Sequence, residues 1–459
     1  MQSPAHGGGS EAAHGAGAAL FGLDPFWTAT ALFVASYLII MTERVNRAVV
    51  ALLGAGLLIV LGILPQGTAV AGIDFNTIGL LTGMMVIVAI SRQSGVFQYL
   101  AIKAAKWSGG RPWGILVTLS VVTAVLSALL DNVTTVLLIV PVALLICDEL
   151  EVKPYPILIA LIMASNVGGT ATLIGDPPNI MIGTQTALTF NDFLFNLGPI
   201  VPLIFVATLV PLYLVYGRYM GASEEGMARV MAFRENDAIT DPGLLKRSLL
   251  VIGLVVVGFV GHHQLGLQPA TVAMFGAALL LLLYTVGLSP DAASEKVHEV
   301  FAEVEWVTIF FFVGLFMLVA AIEHVGLLQM LADYVLEATG GDFFAASMAI
   351  MWVSAVASAV VDNIPFVATL IPMIKSMLPA FHEAGLGGVE SSAIWWSLAL
   401  GACLGGNGSL IGASANLITA GFAERAGHPI RFLPFLMIAF PLMLMQVAIA
   451  AVYVWLRYF

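Results

Sequence analysis

Three aspartates stand in sequence too apolar to hold a charge cheaply. Asp131 joins two apolar arms at about 113–130 and 133–148, Asp362 joins two more at about 344–361 and 364–379, and Asp176 lies in the run Ser165–Ile180, SNVGGTATLIGDPPNI. An acid kept at membrane depth is expensive, which makes it a candidate for carrying a proton or a cation. Desolvation favours the protonated form, and a bound cation favours the charged one. Asp131 and Asp362 have a second reading as N-caps of the arms that follow them, although Asn or Ser would cap without burying a charge. Asp176 has no acidic counterpart in the second half, where Ala413 stands. The expected coupling residues are therefore Asp131, Asp176 and Asp362, with Asp176 foremost.

Amides and hydroxyls surround these acids: Asn132, Asn166, Thr170, Thr172 and Asn179 in one half, and Asn363, Asn407, Ser409, Ser414 and Asn416 in the other. No Lys or Arg lies in the interrupted segments or at the arm junctions. A permanently charged anion would have only backbone dipoles or a co-bound cation to balance it. The set suits a neutral polyhydroxylated solute, a cation, or an anion travelling with cations. The residues expected to bind substrate are Asn132, Asn166, Gly168, Gly169, Thr170, Asn179, Asn363, Gly405, Gly406, Asn407, Ser409 and Asn416. The glycines are included because they let backbone approach a ligand closely. No cofactor and no metal site are expected. Cys147 and Cys403 fit no disulfide or metal spacing and read as buried structural thiols, with a soft-ligand role for Cys403 the lesser alternative.

The elements that must position these groups follow from composition. The 459 residues are 60% hydrophobic and 10% charged, which excludes a water-soluble globular protein, and apolar runs of about 17–25 residues recur at the length that spans hydrocarbon. The expected fold is an all-α polytopic membrane protein. Its net charge of -11 comes from acidic loops, and no nucleic-acid partner is expected. Residues 1–26, rich in Gly, Ala, Ser and His, read as a disordered tail. Spans follow at about 27–42, 47–64 and 77–91, then an amphipathic piece over 93–107 and the arms around Asp131, read as a re-entrant hairpin. A broken helix at 156–189 and a span at 197–217 complete a first repeat over 27–217. A polar cytoplasmic linker covers 218–247. A second repeat over 248–459 returns the same order: spans near 248–261, 269–287 and 306–322, an amphipathic piece at 326–338, the hairpin around Asp362, a broken helix near 393–424 and a span at 433–456.

The duplication is legible residue by residue. An offset of 231 carries Thr77 onto Thr308, Gly83 onto Gly314, Gly109-Gly110 onto Gly340-Gly341, Asp131-Asn132 onto Asp362-Asn363 and Pro141 onto Pro372. GGTATLIGDPPNI and GGNGSLIGASANL, from Gly168 and Gly405, match at 237, which implies a six-residue insertion after Pro372. With both termini outside, the positive-inside rule places every Lys and Arg on the cytoplasmic side except Lys375 and Arg457. Each half then crosses five times, so the halves are inverted, the architecture of secondary transporters with a site between repeats at the midplane. Broken helices suit such a site, since freed N–H ends attract anions and freed carbonyls attract cations. His262 and His263 read as surface groups, Phe310–Phe312 as helix packing, and Trp395-Trp396 as an interfacial anchor.

The paired Asp-Asn junctions and the run SNVGGTATLIGDPPNIMIG resemble the arsenite-permease and P-protein branch of the ArsB/NhaD ion transporter superfamily, from about residue 30 to the C-terminus. The resemblance implies scaffold and transport regions, a homodimer and elevator-like movement of the hairpins and broken helices. It also implies that Asp131, Asn132, Asn166, Gly168, Asp176, Asn179, Asp362, Asn363, Asn407 and Asn416 build the ion and substrate sites. The sodium/proton antiporter branch lacks the Pro-Pro-Asn of 177–179. The dicarboxylate branch has Ser-Asn-Thr at its hairpin tips, where this chain has Asp131-Asn132-Val133 and Asp362-Asn363-Ile364. The expected function is a secondary transporter, not an enzyme, that exports arsenite or antimonite in exchange for protons across the inner (plasma) membrane. The trihydroxide is uncharged near neutral pH and needs no fixed cation. The alternatives are a sodium/proton antiporter or a sodium-coupled anion symporter of the same superfamily. Expected partners are the metalloid, protons and lipid, with room for an accessory ATPase. An intramembrane aspartyl protease is the remote alternative: its signature is incomplete around Gly175-Asp176, and Leu130 stands where tyrosine is needed.

Overall fold

The computed structural model describes residues 22–42, 44–383 and 392–459; the expected tail lies outside them up to residue 21. Among the described residues the regular structure is helical, and eight helices are long and apolar enough to cross a membrane, or nine if one bent pair counts as a single span. The chain is a multi-pass membrane protein.

A helix ending in hydrocarbon leaves backbone donors unsatisfied, and the sequence answers with caps and first-turn prolines. Asp24 caps α1 (Pro25–Met41), Asn46 caps α2 (Arg47–Val60), and the short α3 (Gln66–Ala71) follows. Asp74 caps α4 (Phe75–Arg92), and Gly95, at φ 79°, turns the chain into α5 (Val96–Trp107). The arms are α6 (Pro112–Leu129) and α7 (Asn132–Leu150). The first broken helix is α8 (Tyr155–Gly169) and α9 (Pro177–Gln185). Next come α10 (Phe190–Asn196) and α11 (Val201–Val215), which form the bent pair with an angle of 48°.

The linker contains α12 (Glu224–Ala232) and leads into α13 (Pro242–Gly261), α14 (Pro269–Thr285) and α15 (Pro290–Ala302). Then come α16 (Trp306–His324), α17 (Leu327–Ala338), and the second arms α18 (Phe343–Val360) and α19 (Asn363–Glu383). The second break separates α20 (Ala393–Gly405) from α21 (Ser414–Arg425), and α22 (Phe432–Tyr458) closes the chain.

The duplication extends to the helix boundaries. At the offset of 231, the first residues of α4, α5, α6 and α7 fall on the first residues of α16, α17, α18 and α19. At 237, Pro177 of α9 falls on Ser414 of α21. The six-residue insertion falls between α19 and α20, where residues 384–391 are outside the described part.

Two compact units are present. One comprises the chain to Ile73 together with Phe310–Met330; the other comprises Asp74–Ile309 and Leu331–Phe459. Within the first, α2 crosses α16 where a Cβ at Gly314 would run into the backbone of Ala51 and Leu52. Within the second, α4 crosses α14 where a Cβ at Gly83 would run into the backbone of Ala273 and Met274. Gly83 and Gly314 are partners in the repeat, so each copy lends an early helix to its twin at the same kind of close crossing.

Three expectations are revised. Asp241 accepts from the N–H groups of Gly243 and Leu244, and with Pro242 at N1 it starts α13 six residues before the expected 248. His262 is buried, its Nδ1 3.0 Å from the Leu267 carbonyl, and so serves the turn after α13 instead of facing solvent. Trp395 and Trp396 are buried too; Trp396 packs edge-on against Phe193 at 5.1 Å and donates to Ser392 Oγ, so the pair is core and not an interfacial anchor.

The linker is docked onto helix ends. Arg229 donates to the Glu149 carbonyl and to Glu151, each at 2.7 Å, and Lys106 to Glu235 at 2.6 Å. That hydrogen bond from Lys106 holds the Glu235 carboxyl below its ordinary range.

Because backbone cannot recede as a side-chain tip can, Gly314→Val should cost about 1–3 kcal/mol, the range for overpacking. Gly56, with nothing within 4 Å of a built Cβ, supplies the control Gly56→Ala. Thermal denaturation in detergent should show a lower midpoint for Gly314→Val only; equal midpoints would mean that the crossing is looser than described.

Candidate functional site

The hairpin arms each have the length of a full crossing, yet their junctions are enclosed. Asp131 and Asn132 are buried, as is Asn363, while Asp362 is half-buried. The arms come close to the broken helices because glycine permits it: a Cβ at Gly168 would strike the backbone of Ala124 on α6, and one at Gly405 that of Ala355 on α18. Gly169 with Gly175, and Gly406 with Gly412, bring the two ends of each break together in the same way. Ser127 Oγ, donating to the Ser165 carbonyl at 2.6 Å, ties α6 to α8.

Inside each break one asparagine holds the freed backbone. Asn179 Nδ2 donates to the carbonyls of Thr170 at 3.1 Å and Thr172 at 2.9 Å. Asn416 Nδ2, its repeat partner, donates to those of Gly406 at 2.7 Å and Ser409 at 2.8 Å. Unmade, each such buried bond would cost about 1–3 kcal/mol. The side-chain oxygens of these asparagines face the other copy: Asn416 Oδ1 accepts from Asn166 Nδ2 at 3.0 Å, and Asn179 Oδ1 accepts from Cys403 Sγ at 3.5 Å. Asn166 and Cys403 are themselves repeat partners at offset 237.

Asn166 is the hub of a chain of amides. Its Oδ1 accepts from Asn132 at 3.1 Å, and its Nδ2 donates also to Asn407 Oδ1 at 3.0 Å. Asn407 donates to Gln446 Oε1 at 2.8 Å, and Gln446 to Thr208 Oγ1 at 2.9 Å. Five helical segments, α7, α8, the turn after α20, α22 and α11, are thus joined through buried side chains.

The acids differ in how far they are satisfied. Asp131 accepts from both the N–H and the hydroxyl of Thr134, the N-cap geometry. Asp362 accepts from the Ile364 N–H at 3.1 Å and from Ser414 Oγ at 2.9 Å. Asp176 is almost fully buried, at 1% exposure; Asn363 reaches its Oδ1 at 3.4 Å, while its Oδ2 has no hydrogen-bond partner. The Cys403 thiol lies beside it. Where the second copy has Ala413 there is no acceptor, and Asn132 Nδ2, the counterpart of the Asn363 amide, donates instead to Asn166.

The expected site residues therefore gather in one unit: Asn132, Asn166, Asn179, Asn363, Asn407, Asn416 and Asp176 form direct side-chain links, and Gly168, Gly169, Gly405 and Gly406 allow the close approaches. The Thr170 hydroxyl is turned back onto the Asn166 carbonyl at 2.8 Å, and Ser409 Oγ caps Ile411 at 3.1 Å, so both act on the break itself. Sequence reading missed Gln446 and Thr208; the lone amide of Gln446 within an apolar run of 27 helical residues was the available signal. It also missed Thr134, whose pairing with Asp131 follows from ordinary cap spacing.

A family model described as a citrate transporter, CitMHS, matches residues 37–401. An uncharacterized transporter of Mycobacterium tuberculosis is 43% identical over 436 residues, covering 94% of this chain and 98% of its own. The P protein of Homo sapiens is 32% identical, covering 93% of this chain and 59% of its own. The crystal structure of the Alcanivorax borkumensis YdaH transporter matches with a TM-score of 0.58 at 14% identity, over 94% of this chain and 98% of that one, a likeness of fold.

Gln446→Ala removes one link and strands Asn407 Nδ2 in a dry interior. A loss of about 1–3 kcal/mol is expected. Denaturation midpoints of the purified protein check this; an unaffected Gln446→Ala would show that the amide chain adds no stability.

Proposed function

The chain belongs to the CitMHS family of membrane transporters within the ArsB/NhaD superfamily, and on that premise we propose that it is a secondary active transporter exporting trivalent arsenic or antimony in exchange for protons carried by Asp176. The observation that carries the reading is the buried carboxylate in the first break with one oxygen unpartnered. A charge there needs a proton or a cation to join it before that part of the protein moves through a medium of low dielectric. The surrounding amides and hydroxyls, with no Lys or Arg among them, suit an uncharged trihydroxide, and the Cys403 thiol beside Asn179 offers a soft contact to the metalloid.

In this mechanism the substrate lies between the two breaks, bound by Asn132, Asn166, Thr170, Asn179, Asn363, Asn407, Ser409 and Asn416, and Asp131 and Asp362 assist the coupling. The halves are inverted, each hairpin returns to the side from which it enters, and the hairpins and broken helices move against the remaining helices. The protein functions as a homodimer in the plasma membrane with both termini outside.

A second reading has its own support. The matching family is described as a citrate transporter, and the buried Asp176 carboxylate suits a cation that would accompany an anion as well as it suits a proton, which makes sodium-coupled symport or sodium/proton exchange the competitor.

Flux into everted vesicles separates the two. Arsenite uptake should dissipate a pH gradient without sodium, and Asp176→Asn should reduce the driven rate by at least about tenfold, the effect of losing about 1.4 kcal/mol. A citrate flux that requires sodium would favour the competitor, and full activity of Asp176→Asn would remove the coupling role.

A further inference from the structure

A cavity of about 210 Å³ lies against the first hairpin. Met85, Val88 and Arg92 of α4 form one wall, Thr134 and Leu137 of α7 another, and Glu303 and Glu305, which precede α16, close the rim. Its inner end is marked by Thr134, the residue whose N–H and hydroxyl hold Asp131. Its outer end is the ion pair between Arg92 Nη2 and Glu303 Oε1, at 2.8 Å, with both side chains partly exposed. The lining of one cavity therefore includes both a partly exposed ion pair and the threonine that contacts a buried acid.

The repeat gives this arrangement a direction. Glu305 is the partner of Asp74 at offset 231, at the start of α16 and α4 respectively. Asp74 Oδ2 accepts from Thr77 Oγ1 at 2.7 Å and from Thr184 Oγ1 at 2.6 Å, so the start of α4 is fastened to α9. The partner of Thr184 at offset 237 is Gly421, which has no hydroxyl to offer. Glu305 cannot be fastened to α21 in that way, and it lines the cavity instead. The Asp74 fastening and the Arg92 ion pair lie at opposite ends of α4, whose 18 residues span about 27 Å. One end of α4 is tied to α9, and the other lines the cavity.

We propose that this cavity is the passage by which the coupling cation or proton reaches Asp131, with Thr134 as the positioning hydroxyl at its inner end, Glu303 and Glu305 as the attracting rim and the Arg92–Glu303 pair as its gate. The inference rests on the reading that Asp131 belongs to the coupling set, and it deepens that reading by naming the route. Two carboxylates at a narrow entrance concentrate cations over anions. An ion pair across that entrance is cheap to open, since exposed pairs contribute about 0.2–1 kcal/mol.

The test is cysteine accessibility in sealed vesicles of both orientations, using the membrane-impermeant cationic reagent MTSET on Leu137→Cys. Modification is read at residue 137 by mass spectrometry, which keeps it distinct from Cys147 and Cys403. Met85→Cys, on the opposite wall, serves if Leu137→Cys fails to fold. Labelling is expected from a single face, the one from which Arg92→Cys also reacts. Arg92→Gln should raise the rate about two- to fivefold, matching an exposed pair, and the reversed pair Arg92→Glu/Glu303→Arg should return it toward the original. No labelling, equal labelling from both faces, or a rate indifferent to these substitutions overturns the passage.

Labelling needs neither substrate nor a gradient, so its outcome is independent of whether arsenite is carried. A role in the transport cycle is read separately from Thr134→Val and Thr134→Ser. Thr134→Val should shift the pH profile of flux and Thr134→Ser should restore it; a purely structural threonine would alter stability and leave the profile in place.

Discussion

Two asparagines hold open what a membrane interior would otherwise force shut. A helix interrupted in a dry environment exposes carbonyls that must find donors, and here Asn179 and Asn416 each supply two donors from one side-chain nitrogen. Everything else at the site is arranged around that solution. The glycines at 168 and 405 exist because the arms must lie close enough to bury the held loops. The amides that radiate from Asn166 exist because the remaining oxygen of Asn416 also needs a partner. Small deviations would be costly here, since each link leaves a buried polar group stranded if it fails.

Against this near-symmetry, the copies differ at the polar centre of the site. Asn166 in one copy is Cys403 in the other, so one cross-link is amide to amide and its twin is thiol to amide. Asp176 in one copy is Ala413 in the other, so only the first break holds a buried carboxylate, one of whose oxygens has no partner. A duplicated protein with identical halves would have two equivalent sites. Substitution has concentrated the acid in one break and left the other as a neutral wall.

Much of this was legible beforehand because it depends on local rules. The double glycines, the Asp-Asn junctions and the constant offset marked the hairpins and breaks, and the starts of α4, α5, α6 and α7 obey that offset to the residue. Asp131 as an N-cap followed from its position before an apolar arm. What escaped were the partners that come from elsewhere in the chain: Gln446 and Thr208 sit in spans whose apolar character dominates the pattern, and no spacing rule connects α11 to α22. The misplaced Trp395-Trp396 and His262 have a related cause, because position near a helix end suggests exposure only until a neighbouring element such as Phe193 covers it. The cavity beside Thr134 was invisible for the same reason, being a space between helices far apart in sequence.

The reciprocal loan of α2 and α14 bears on how such a chain is made. The glycine that α2 crosses lies on α16, so α2 enters the bilayer long before its companion has been translated. At synthesis rates of about 5–20 residues per second, an interval on the order of ten seconds or more separates the arrival of Ala51 from that of Gly314. Throughout that interval the flank of α2 has only lipid, or an insertion factor, for company. An assembly pathway in which the first copy matures alone is thereby closed, because neither crossing can form until α14 or α16 of the second copy has been made, past the midpoint of the chain.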